Sequence, residues 1–205
     1  MADIATLLSC GGPQDSAWDE LYKKYIEDRM IVLNGEIDVN TIEDIIMWVL
    51  WWNKEDQDIP VEKRKKIRLF ISSPGGNAFN GNILADVLLH SKTPIMGIAL
   101  DICASAAYIC YLGCHERISW PSTALLQHEG EISIENSRSK AKQTSEFLDR
   151  VSEREKEFIL SRTSFSSEEY DDLYETELWM DAHKAKELGI VHKIIGEDCD
   201  LDYIL

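Results

Sequence analysis

The chain has 205 residues, 44% of them hydrophobic, and a formal net charge of −16. That length suits one domain with a full core and is short for two large ones. So acidic a surface repels phosphate backbones and argues against a nucleic-acid partner.

Residues 1–20 lack both a basic n-region and a long apolar h-region, so no signal peptide is read there and their structure is left unassigned. Residues 16–28 read as a short amphipathic helix. Arg29-Met-Ile-Val-Leu-Asn-Gly35 reads as a strand closing in a turn. Ile42, Ile45, Ile46, Val49 and Leu50 carry helical spacing over Asp38–Asn53. A charged loop spans 54–66. The run 67–72 reads as a buried strand, broken by Ser72-Ser73-Pro74-Gly75-Gly76 before a helix over 79–91.

Pro94–Cys114 imitates a membrane span, but Asp101 in its middle would be costly in lipid. A buried strand at 94–100 running into a buried helix at 104–112 explains the same residues without a membrane. Short strands are expected at 117–119 and 124–127, then a long charged helix over 136–161. So polar a helix would project from the domain or pack on another subunit. Ser166 and Glu169 form a capping box at the start of a shorter helix. A helix over 182–188 ends at Gly189 as a C-cap, a strand covers 190–195, and the tail 197–205 is unassigned. Strands alternating with helices predict an α/β fold with much parallel sheet.

Five cysteines, Cys10, Cys103, Cys110, Cys114 and Cys199, are an odd number, and three share one apolar segment. Reduced thiols in a cytoplasmic protein fit better than a disulfide framework. Cys110, Cys114 and His115 have no second ligand pair, so neither a metal nor a cofactor is expected. The glycines of 75–76 match neither G-x-G-x-x-G nor a Gly-Lys-Ser/Thr phosphate loop.

Two apolar strands each end in a small-residue turn that opens a helix. Ser105 falls at the second turn, near a helix N-terminus that favours developing negative charge. A serine there, faced by glycine N–H groups, is what an acyl-transfer site needs. Of the five histidines, His128 alone ends an apolar strand-like run, at the rim of a sheet.

These segments, in this order, resemble the Clp protease proteolytic subunit family over roughly residues 20–195. The resemblance rests on the Arg29 strand, Ile71-Ser-Ser-Pro-Gly-Gly, Cys103-Ala-Ser105-Ala-Ala, Pro121 with His128 and Glu187-Leu-Gly-Ile-Val. It implies a ClpP/crotonase-like superfold of stacked strands flanked by helices, with 136–161 as a projecting handle helix. Residues 21–196 would form the peptidase domain between an N-terminal segment and the tail.

The resemblance further implies that Ser105 is the nucleophile, His128 the general base and Glu177 the orienting acid. Gly76 and Ala106 N–H groups would form the oxyanion hole. Glu177 stands where the family carries aspartate, and Asp172 or Asp181 could replace it. Peptides or unfolded proteins would be the substrates. A homo-oligomeric ring, heptameric or stacked, would be the assembly, and an AAA+ unfoldase a partner. Departures bear on the site, which Asp101 could disturb unless it caps the helix after Ser105, and on those last two implications. Asp101 replaces a glycine, Thr176 an arginine between rings, Arg68 a docking tyrosine beside Phe70, and the handle strand 129–136 has one glycine.

The order Ser…His…acid and the lack of G-x-S-x-G exclude an α/β-hydrolase. Two other readings remain. One is a catalytically impaired paralogue serving as a structural ring subunit. The other is a crotonase-type acyl-CoA enzyme, which would explain neither Ser105 nor His128.

Overall fold

A computed structural model of the chain describes residues 17–130, 138–174 and 176–205. The N-terminal segment, apart from its last few residues, and most of the handle strand lie outside the described residues.

Helix α1 (Ala17–Glu27) leads into β1 (Met30–Asn34). Helix α2 (Val39–Glu55) starts at Asp38, whose carboxylate accepts from the Thr41 N–H at 2.8 Å while Thr41 caps it in return. Strand β2 (Ile67–Ser73) runs into α3 (Ala78–His90), where the Asn77 side chain accepts from the Asn80 N–H. Strand β3 (Ile95–Ala104) feeds α4 (Ala106–Gly113). Strands β4 (Glu116–Ser119) and β5 (Ala124–Gln127) precede α5 (Arg138–Arg162) and α6 (Ser167–Tyr174). Strand β6 (Leu178–Met180), helix α7 (Ala182–Glu187), strand β7 (Lys193–Ile194) and a 3-10 turn at Leu201–Ile204 complete the order.

The sheet runs β1-β2-β3-β4-β7, all parallel, as alternating strands and helices require. β3 is shared. Met96–Ala99 pair with β4, and Ile102–Ala104 pair with β5, which then carries β6 antiparallel. Between those halves the β2–β3 register slips, from Ile71 opposite Ala99 to Ser73 opposite Cys103. This bulge lets one strand serve two layers.

The expected strand ended at residue 100, because Asp101 interrupts the apolar run. The structure continues it to Ala104. The extra residues of the bulge turn Asp101 to solvent, where the Ser72 hydroxyl and the Ile102 N–H hold its carboxyl below the usual range. Asp101 therefore bonds to the neighbouring strand and leaves the N-cap of α4 to Ser105.

Pro94–Cys114 is the buried strand and helix that its sequence suggested. All eight residues of α4 are buried. Small residues let α3 and α4 approach closely. A Cβ on Gly81 would lie 2.8 Å from the Ala106 Cβ, and one on Gly113 would lie 2.7 Å from the Ala85 carbonyl. Cys103, Cys110 and Cys114 are buried free thiols, and burial pushes Cys114 up to about 12. Among the described residues, no helix is long and apolar enough to cross a membrane.

Buried Arg117 ties the C-terminal ends of three helices together. It donates to the carbonyls of Ile190 (2.6 Å), Gly189 (2.8 Å) and Arg162 (2.9 Å), and more weakly to Leu112 (3.4 Å). The capping box at Ser166–Glu169 is present in both directions. Gly189 closes α7 at φ +69°, with its N–H on the Lys186 carbonyl and the Ile190 N–H on Ala185. That wrap takes up Ile190 and Val191, so β7 is shorter than the expected 190–195 strand. The tail packs back on a second apolar cluster: Ile204 is buried with Met96, Ile98, Ile118 and Ile195, against Phe70, Leu100 and Trp120. The Arg68 guanidinium holds it there by donating to the Ile204 carbonyl at 3.2 Å.

Candidate active site

Ser105 occupies the junction between β3 and α4. Its N–H donates to the Leu126 carbonyl at 3.0 Å, extending the β3–β5 ladder by one step. The chain then turns sharply, with Ser105 at φ 54° and ψ −126°. A non-glycine residue held there carries about 1–3 kcal/mol of strain, a recurrent mark of functional positions. Its hydroxyl makes no cap bond to α4, so it is left for another use.

The turn after β2 lies against this junction. A Cβ on Gly75 would fall 2.6 Å from the Ser105 Cβ, 2.7 Å from the Ala104 carbonyl and 3.0 Å from the Ala106 nitrogen. Only a glycine, at φ +101°, lets the two turns meet. Gly76 is fixed from its other side. Ile37 donates to the Gly75 carbonyl and accepts from the Asn77 N–H, so Gly76 is the central residue of a parallel bridge. In such a bridge the central residue's own N–H points away from the partner strand. The Ala106 N–H, at the first turn of α4, has no acceptor within its helix. Gly76 and Ala106 thus each offer an N–H near Ser105.

His128 follows the last residue of β5. Two steps of strand separate it from Leu126, which accepts the Ser105 N–H. Its Nε2 is buried and has no hydrogen-bond partner among the described residues. Ser105, His128 and Gly76 line one cleft of about 490 Å³, with Asn77, Phe79 and Glu155 also on its walls. A narrower inner pocket holds Ser105, Ala106 and His128 together with Tyr108 and Ile159.

Glu177 reaches this neighbourhood through the sheet. The β5–β6 pairing sets Leu125 opposite Met180, Leu126 opposite Trp179 and Gln127 opposite Leu178. One step further along that register is His128 opposite Glu177. The Glu177 carboxylate itself is exposed and accepts from the Trp179 indole N–H at 3.0 Å. The other two acids are less well placed. Asp181 caps α7 by accepting from the Lys184 N–H, and Asp172 is exposed on α6.

Glu155 was not among the sequence candidates. It lies on α5, lines both the cleft and the inner pocket, and is half-buried. Burial pushes its carboxyl up, while the Asn82 side chain and His128 pull it down. A signal for it existed. Leu148, Val151 and Ile159 form the apolar seam of α5, and Glu155 falls on that seam four residues from both Val151 and Ile159.

Comparison with known proteins agrees with the fold. A family model, Clp protease, matches residues 13–198. An ATP-dependent Clp protease proteolytic subunit from Pleurastrum terricola is 23% identical over 186 residues, covering 90% of this chain and 92% of its own. A solved structure of a ClpP1 mutant from Listeria monocytogenes matches with a TM-score of 0.75 at 24% identity, over 90% of this chain and 99% of that one. With every described strand and α-helix inside the matched span, the chain belongs to the Clp protease family.

Proposed function

We propose that the chain is a serine endopeptidase in which Ser105 is the nucleophile, His128 the general base and Glu177 the acid that orients it. The family is one of serine peptidases. The observation that carries the assignment to these residues is the junction itself. Ser105 is held at a strained φ with a hydroxyl that does not cap its helix, in one cleft with a histidine whose buried Nε2 has no partner among the described residues.

His128 Nε2 takes the Ser105 hydroxyl proton as Oγ attacks the peptide carbonyl. The oxyanion settles against the Gly76 and Ala106 N–H groups. The C–N bond breaks as His128 returns the proton to the leaving amine, which leaves an acyl ester on Ser105. Water then attacks the ester, giving its proton to His128. Collapse releases the carboxylic acid, and the proton goes back to Ser105 Oγ. Glu177 takes its part by turning from Trp179 to the imidazole it faces across the β5–β6 pair.

Peptides and unfolded chains are the substrates, and the working form is a ring of copies of this chain. Exposed Met47, Leu50, Trp51, Phe79 and Ile83 on α2 and α3 support self-association, since so many large apolar side chains are seldom left to water on two neighbouring helices. The test is hydrolysis of a fluorescently labelled unfolded protein by the wild type and by Ser105→Ala, His128→Ala and Glu177→Ala, with molar mass measured by light scattering. Turnover by the assembled wild type, lost in the first two variants and reduced in the third, is expected. Turnover that survives Ser105→Ala would refute the assignment.

A further inference from the structure

Glu155 is a carboxylate placed where an apolar side chain would complete the seam of α5. It lines the same cleft as Ser105. The walls carry an apolar strip, Phe79 of α3, stacked on Phe147 of α5 with ring centroids 6.4 Å apart, then Leu148 and Val151, beside the polar Asn77, Asn82 and Ser152. Further in, Ile109 and Ile159 lie beside the carboxylate. The Asn82 side chain donates to Glu155 from α3 and fixes its direction. Glu129 adds a second acid to the cleft, and among the described residues no lysine or arginine lines it.

Resting on Ser105 as the nucleophile, we infer that Glu155 is the specificity-determining residue of the cleft, selecting peptides with lysine or arginine on the acyl side of the cut bond. The chemistry of the walls fits such a side chain. Its methylene stem lies along Phe79, Leu148 and Val151, and its cationic head reaches a half-buried carboxylate. A neutral aliphatic side chain of the same length would desolvate Glu155 and give it no partner, so the site rejects leucine or methionine by an unpaired charge. His128 lines the same cleft and attracts the Glu155 carboxylate, but its imidazole is engaged in proton transfer with Ser105, so it does not fill this role.

The test uses two fluorogenic peptides that differ only in lysine or leucine at the residue before the cut. The wild type is expected to favour lysine at least tenfold in kcat/KM. Glu155→Gln should lower the lysine peptide at least tenfold. Glu155→Met, which restores an apolar seam, should reverse the preference by raising the leucine peptide. A wild type that favours leucine would overturn the inference. So would a Glu155→Gln variant that loses both peptides in equal proportion, which would make Glu155 a residue that positions His128. A fluorophosphonate probe applied to the same wild-type sample separates the levels. A labelled Ser105 with leucine preference refutes only the role of Glu155, whereas a folded protein that takes no label refutes the nucleophile on which it rests.

Discussion

Replacing Gly75 by alanine attacks the junction without changing any of the reacting side chains. The added methyl would stand 2.6 Å from the Ser105 Cβ and 2.7 Å from the Ala104 carbonyl. Ordinary carbon contacts are about 3.5–4.0 Å, so one of the two turns must retreat by roughly 1 Å. Ser105 has little freedom to do so, being tied to Leu126 behind and continued by the fully buried α4 ahead. Holding alanine at φ +101° costs about 1–2 kcal/mol. Overpacking of this kind adds about 1–3 kcal/mol. A reacting atom misplaced by 1 Å costs about 100-fold in rate. Gly75→Ala is therefore expected to fold with a lowered Tm and to react with a fluorophosphonate probe about 100-fold more slowly. Gly35→Ala is the control. It carries a similar backbone strain at φ +81°, but nothing lies within 4 Å of its new methyl. Its probe rate should stay within about twofold of wild type. A Gly75→Ala protein that reacts as fast as wild type would refute the packing of the two turns described above.

Other parts of the structure make separate predictions. Glu177→Gln keeps the size of the side chain but loses the charge that steadies a protonated His128, so kcat should fall by at least about tenfold with KM little changed; full retention would remove Glu177 from the triad. Arg117→Met takes the donor from the Arg162 carbonyl that ends α5 and from the Gly189 and Ile190 carbonyls after α7, and should cost about 3 kcal/mol in urea unfolding, with no change in cleavage preference. Asp56 is buried and accepts from both Arg29 nitrogens at 2.6 and 2.8 Å and from Thr93 at 2.8 Å, which holds its carboxyl below the usual range. Because that pKa is lowered on folding, its contribution is complete above the unfolded value of about 3.9 and vanishes as pH falls through the folded one. Asp56→Asn should thus be less stable than wild type by about 3 kcal/mol at neutral pH, and the gap should close in acid; a gap independent of pH would contradict the ion pair.

How far the sequence carries depends on the range of the interaction. Local signals were legible. Ser166 with Glu169, Gly189 after its helix, and the breaker run at 72–76 each act within a few residues, and each has the expected structure. The parallel sheet followed from the alternation of strands and helices. The extent of β3 did not, because Asp101 reads as a strand end until the bulge that turns it outward is known. The return of the tail onto Met96 and Ile98 depends on Arg68, more than a hundred residues away, and nothing near residue 201 signals it. In the site, Ser105 and His128 stand out as polar residues closing apolar strands. Glu155 was hidden among the acids of a highly charged helix, and its place on the seam gains meaning only once α5 is laid against the cleft. Glu177 shows the opposite case. The β5–β6 register, which ends at Gln127 opposite Leu178, brings its backbone toward His128, while its carboxylate lies with Trp179.

The central claim is that Ser105 is an activated nucleophile. Intact-protein mass spectrometry after treatment with a fluorophosphonate probe, followed by peptide mapping, tests it most directly. One adduct per chain is expected, on Ser105, absent from Ser105→Ala and slowed in His128→Ala. An assembled, folded wild type that gains no mass, or gains it on another serine, would contradict it.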